Sequence, residues 1–280
     1  MLADAVRAES FRLSRNRSVL FWSVLFVPVV GLVLTVAGHL FTKANEARLA
    51  SASIDITVPG GPLDLFQLLA GSAAALANPA MLMFLTIGAA TLYAGDYRWE
   101  SWRLISARNT RPNLLAAKVV VFIGLTLAAS AAYLVADGVA ALVQAVVFAR
   151  PLTFGIDGEG LGQMGLLAVL SWLRIVQFTM IGLLAAVVTR SLLAALFVPL
   201  VVGVAQAVAP QMLMGLGIMP DGWLAPLVSP ALASDGLQGL IQGGMADQAL
   251  VKGLVSLALW TLVPLAGALA VFQRQDLSKE

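Results

Sequence analysis

Long apolar runs broken by short polar segments organise this 280-residue chain. Nearly uncharged stretches cover about 19–41, 79–95, 114–148, 161–189, 192–208 and 250–272. Each is close to or beyond the length at which a helix crosses roughly 30 Å of hydrocarbon. A lipid-exposed backbone must satisfy its own hydrogen bonds, and these runs are too long and too uniformly apolar for barrel strands, so the pattern predicts helices. The expected fold is all-α: a single polytopic membrane domain over 1–280 with six transmembrane helices. The run 114–148 exceeds what a bilayer requires, so its helix must tilt or project.

The polar positions set the ends of these elements. In residues 1–18, Leu2, Val6, Phe11 and Leu13 alternate with Arg7, Arg12, Arg15 and Arg17, which predicts an amphipathic helix on the membrane surface. Asn78-Pro79 reads as the cap and first residue of the second span. Pro199 predicts a kink in the fifth span, and Pro210 is expected to stop it. Leu63 to Ala77 is apolar but interrupted by Asp64, Gln67, Gly71 and Ser72, so it is either an interfacial helix or an outward extension of the second span. Residues 210–248, rich in Gly, Pro and Met, predict short external helices buried against other protein.

Composition narrows the function classes. Hydrophobic residues make up 60% and charged residues 11%, with a mean hydropathy of +0.91, which places the chain in a bilayer. There is no cysteine, so thiol and disulfide chemistry are out, and a single histidine, His39, rules out a histidine metal site. The first apolar run, about 23 residues with no small-residue cleavage site, is expected to be an uncleaved span. The sequence contains no phosphate-binding G-x-x-x-x-G-K-[ST], no H-E-x-x-H and no G-x-S-x-G, so an enzyme is not expected. Neither nucleic-acid binding nor a soluble acidic partner is called for by the charge balance of +2.

The distribution of charge is lopsided. With both ends inside, twelve of the 17 basic residues fall on the inner segments, and only Lys43, Arg48, Arg150 and Lys252 fall outside. This predicts six spans with cytoplasmic N- and C-termini. The densest inner segment, 96–112, holds Arg98, Arg103, Arg108 and Arg111 against Asp96 and Glu100, with Lys118 following in the next span. Tyr97, Trp99, Trp102, Leu104 and Ile105 fall among the charges, which suits a short helix at the headgroup level. On residue types alone it is either an anchoring loop or a surface that receives a soluble partner.

The order of residues in "LYAGDYRWESWRLISARNTRPNLLAAK" resembles the first cytoplasmic loop of type 2 ABC exporter permeases. That loop opens with an acidic residue, an aromatic and Arg, and closes with Arg and a Lys in the next span. Asp96, Tyr97, Arg98, Trp99, Ser101, Arg103, Leu104, Arg111 and Lys118 stand in those places. Glu100-Ser101-Trp102 departs from the family's Gly-Thr followed by a smaller residue. Glu9, Arg12, Arg15 and Arg17 are similar to the family's opening elbow helix, and Gln273-Arg274-Gln275-Asp276-Leu277 to its closing Arg-Arg-Asp-Leu. The resemblance implies a bacterial inner-membrane exporter subunit whose loop, including Asp96, Tyr97, Arg98, Trp99, Glu100, Arg103, Arg108 and Arg111, docks on soluble ABC ATPase subunits. It further implies a second permease copy or a related permease as partner, with ATP and Mg held by the ATPase and no cofactor on this chain. The alternative is an ion-coupled secondary carrier, or a scaffold subunit, with no ATPase.

Two ionised groups lie well inside spans, Asp137 and Arg174. Unpaired, each costs several kcal/mol. Counting outward from a turn over about 149–162 puts both at one depth, so they are expected to pair, either as a structural bridge or on the translocation path.

Overall fold

Residues that leave the backbone no water to bond with fold as helices, and the chain is mostly helical. The computed structural model describes residues 1–51, 61–98, 102, 109–219, 222–243 and 248–276. The helices are α1 (Leu2–Arg15), α2 (Arg17–Ala44), α3 (Glu46–Ser51), α4 (Leu65–Ala74), α5 (Pro79–Arg98), α6 (Arg111–Val147), α7 (Gly158–Thr189), α8 (Leu192–Gly215), α9 (Leu224–Val228), α10 (Pro230–Ile241) and α11 (Gln248–Arg274). Two-residue strands β1 (Leu63–Asp64) and β2 (Leu152–Thr153) pair in parallel. Five helices, α2, α6, α7, α8 and α11, are long and apolar enough to cross a membrane. Joined across a 55° bend, α4 and α5 form a sixth candidate. The chain is an all-α, multi-pass membrane protein.

Side-chain caps fix several of the helix starts. Asn78 Oδ1 accepts from Met81 N at 3.0 Å, so Asn78-Pro79 does open α5. Asp157 and Ser191 cap α7 and α8 in the same way. Between α7 and α8 the chain turns at Arg190, whose φ of 56° ends α7 in the left-handed region. Contrary to expectation, α8 does not stop at Pro210 but continues to Gly215. Proline removes one intrahelical bond, yet at membrane depth a helix that goes on still satisfies more backbone than a loop does.

The centre of the bundle is α7. Of its apolar window 72% is buried, against 17% in α2 and in α8, so α7 is the axis and the other two are outer helices. A π-helical turn over Phe21–Leu25 presses α2 onto α5 at Gly88. A Cβ there would lie 2.6 Å from Ser23 Oγ and 2.9 Å from Leu125 Cδ2, so the glycine is what lets α2, α5 and α6 meet. The break between α4 and α5 leaves the Ala74 carbonyl without a helical partner. Ser171 Oγ of α7 donates to it at 2.8 Å and Gln238 Nε2 of α10 at 3.1 Å. At the same end of the bundle, Arg150 donates to the carbonyls of Gly61 and Pro62, tying the α6–α7 turn to the segment before β1.

Candidate functional site

Two polar sites stand out in this apolar molecule, one at each level of the bundle. The first is where α1, the end of α5 and the start of α6 converge, the end that also holds Met1 and Gln275. Asp96 is fully buried and Lys118 is 2% exposed. Lys118 Nζ meets Asp96 Oδ2 at 2.5 Å and Glu9 Oε1 at 3.3 Å, and donates to the Leu92 carbonyl at 2.8 Å. Arg12 closes the cluster from outside, with Nη2 2.6 Å from Asp96 Oδ1 and Nη1 2.9 Å from Glu9 Oε1. Two cations face two anions, so the group is neutral and each charge has a partner. The hydrogen bond to Asp96, with the charges of Asp96 and Glu9, raises Arg12 above its usual range against the opposing effect of burial.

An aromatic and backbone network joins this cluster to the last helix. Trp102 is fully buried, with its ring centroid 4.6 Å from that of Phe272 and 5.2 Å from Lys118 Nζ. The Tyr97 hydroxyl donates to Gln275 Oε1 at 2.9 Å. Arg111 donates to the carbonyls of Phe272, Gln273 and Gln275 at 3.3, 2.9 and 2.6 Å, capping the end of α11 with a cation where the helix dipole favours one. The ends of α1, α5, α6 and α11 therefore form one polar-locked unit.

Of the loop residues singled out from sequence, the structure brings Asp96, Tyr97 and Arg111 into this unit and leaves Arg98 exposed at the end of α5. Trp99, Glu100, Arg103 and Arg108 lie outside the described residues. Of the N-terminal residues singled out, Glu9 and Arg12 of α1 join the cluster, whereas Arg15 is exposed over the Phe11 ring and Arg17, the first residue of α2, is exposed.

The second site is a cavity of about 670 Å³ between the α4–α5 break, α7, α8 and α10. Its walls are mostly apolar, with Leu82, Phe178, Leu200 and Val204 among them. Arg174, 7% exposed, lines it. Here the expected Asp137–Arg174 pair is corrected. Arg174 instead donates Nη1 to Gln177 Oε1 and Nη2 to Gln206 Oε1, and no ion pair joins it to Asp137 among the described residues. Asp137 interacts with Tyr133 one turn back on its own helix. The reason is register: Asp137 stands ten residues before the end of α6, but Arg174 stands sixteen after the start of α7. Six residues of helix amount to about 9 Å of depth. In addition α4 packs against both helices.

Asp235 of α10, not singled out from sequence, lines the same cavity as Arg174. Burial pushes its carboxyl above the usual range, opposed by the charge of Arg174. The two do not form a contact ion pair. No group of metal-ligating side chains occurs among the described residues. No family model, no curated protein and no solved structure matches this chain.

Proposed function

We propose that this chain is the membrane-spanning permease subunit of an ATP-driven ABC exporter in the bacterial inner membrane. In this reading α4 and α5 together make the second of six spans, both termini are cytoplasmic, and α1 is an elbow helix on the inner surface. Two copies, or this chain and a related permease, form the pathway, and soluble ATPase subunits dock beneath residues 96–112.

The observation that carries the reading is the buried Asp96–Lys118 pair with Glu9 and Arg12 around it. It sits where the basic loop leaves α5, and it bonds that helix end to α1 and α6. With Tyr97 and Arg111 holding the end of α11, a push on the loop moves four helix ends together. Mechanical coupling needs such a unit, because ATP acts in another polypeptide and only a difference in nucleotide affinity between two states shifts the membrane equilibrium. The family resemblance of the loop and the excess of inner arginines support the same orientation.

The test is charge reversal in the loop. Arg98→Glu is expected to leave insertion intact and to uncouple ATP hydrolysis from transport. Normal coupling in that variant removes the loop from the mechanism. Since the chain has no cysteine, Ser101→Cys supplies a single thiol, expected to react from the cytoplasmic face. A thiol reached only from outside overturns the topology. An ion-coupled carrier is the second reading, favoured by the buried Arg174 on the cavity wall. Transport that persists without ATP but collapses with the ion gradient would select it.

A further inference from the structure

The cavity beneath α10 contains one cation and one anion that do not touch, in walls that are otherwise uncharged and mostly apolar. Arg174 is satisfied only by neutral acceptors, the side-chain oxygens of Gln177 and Gln206. That arrangement turns both amide nitrogens the other way. Gln206 Nε2, on a side chain 5% exposed that lines the cavity, has no hydrogen-bond partner. Asp235, on the opposing α10, is exposed on the cavity side and has no contact ion pair of its own. A buried cation without a contact anion is unfavourable in a low-dielectric site, by an amount that a guest with a matching group recovers.

The form of the guest follows from electroneutrality. Arg174 and Asp235 cancel, so a guest of net charge would leave an uncompensated charge at this depth, whereas a guest carrying both signs would leave none. Its anion belongs at Arg174, and its cation at Asp235. The apolar wall of Leu82, Phe178, Leu200 and Val204 calls for a hydrocarbon tail. A volume of about 670 Å³ falls within the range of roughly 300–1,000 Å³ that holds a drug-sized molecule, enough for one chain with a small head. We infer that this cavity binds a single-chain zwitterionic amphiphile, oriented head-first between Arg174 and Asp235. The inference goes beyond the proposed ATP coupling and does not rest on it.

The experiment uses the purified full-length chain in a maltoside detergent, with three probes of equal chain length below their micellar concentrations: dodecylphosphocholine, dodecyl phosphate and dodecyltrimethylammonium. Adducts are counted by native mass spectrometry across a titration. Wild type is expected to bind the zwitterion at least tenfold tighter than either singly charged probe. Arg174→Gln should move the preference to the cationic probe and Asp235→Asn to the anionic one. Preserved binding of the newly favoured probe shows that the variant is folded. Should either variant fail to fold, Arg174→Lys and Asp235→Glu are expected to keep the wild-type order with weaker binding. A wild type that does not discriminate, or variants that keep its order after loss of a charge, would overturn the assignment. A two-chain phosphatidylethanolamine separates a bilayer lipid from a single-chain cargo: it should compete poorly, and equal competition overturns the single-chain claim. No nucleotide or partner enters the assay, so its failure leaves the ATP-driven reading standing.

Discussion

At the basic end of the bundle, Asp96 and Lys118 are both buried and 2.5 Å apart, with Glu9 and Arg12 completing a neutral set. In the cavity beneath α10, Arg174 and Asp235 share one space without meeting. The two regions have equal and cancelling charge, yet opposite degrees of satisfaction. Where every charge has a partner, the polar group fixes helices and leaves nothing for a guest. Where charges are held apart by neutral amides and open volume, the fold keeps interaction free energy in reserve. Burial of a charge alone therefore does not mark a binding site, and the presence or absence of a direct partner does.

The sharpest way to break this contrast is to remove partners one at a time. Asp96→Leu leaves Lys118 buried without its closest anion, and Lys118→Met leaves Asp96 without its buried cation. Each single change is expected to lower stability by about 3–5 kcal/mol, and the double change by much less than the sum. Thermal unfolding of the detergent-solubilised variants measures it, and additive losses would mean that the cluster is not a unit.

A smaller effect is expected at the glycine where α2 crosses α5. Gly88→Val places methyl groups into Ser23 and Leu125, and should cost about 1–3 kcal/mol through overpacking. Ser23→Ala is expected to relieve part of that loss. If Gly88→Val unfolds at the wild-type temperature, the close approach of α2 is not a feature of the folded bundle.

The smallest effect is a coupling that should be absent. Because Arg174 bonds Gln177 and Gln206 and not Asp137, Asp137→Asn and Arg174→Leu should be additive in unfolding free energy, to within about 0.5 kcal/mol. A coupling well above that value would restore the pair expected from sequence.

The helices are legible because membrane depth writes itself into composition over windows of about 20 residues, and the cap at Asn78 is a local signal. Partners across the fold are not. Arg12 and Asp96 lie 84 residues apart, and nothing along the chain states that Glu9, Lys118 and Asp96 share one pocket. The third-to-fourth span hairpin failed for a related reason. Counting depth outward from a turn over about 149–162 ignores that α7 already begins at Gly158, which carries Arg174 away from the level of Asp137. Asp235 is not legible in the same way, because it lies in a Gly- and Pro-rich stretch with no apolar period to assign it a face. The one available signal was Ser234-Asp235 followed by Gln238, which a helix brings to neighbouring positions on one side. Pro210 does not end α8, because a proline is a stop signal only where water offers the freed carbonyl an alternative.

The central claim is that the locked basic end receives work from an ATPase. It is tested most directly by purifying the tagged full-length chain from the cells that encode it and measuring ATP hydrolysis by the intact assembly. A soluble nucleotide-binding subunit in stoichiometric amount, with hydrolysis that Arg98→Glu separates from transport, is the predicted result. A chain that transports when purified alone and without ATP would contradict it.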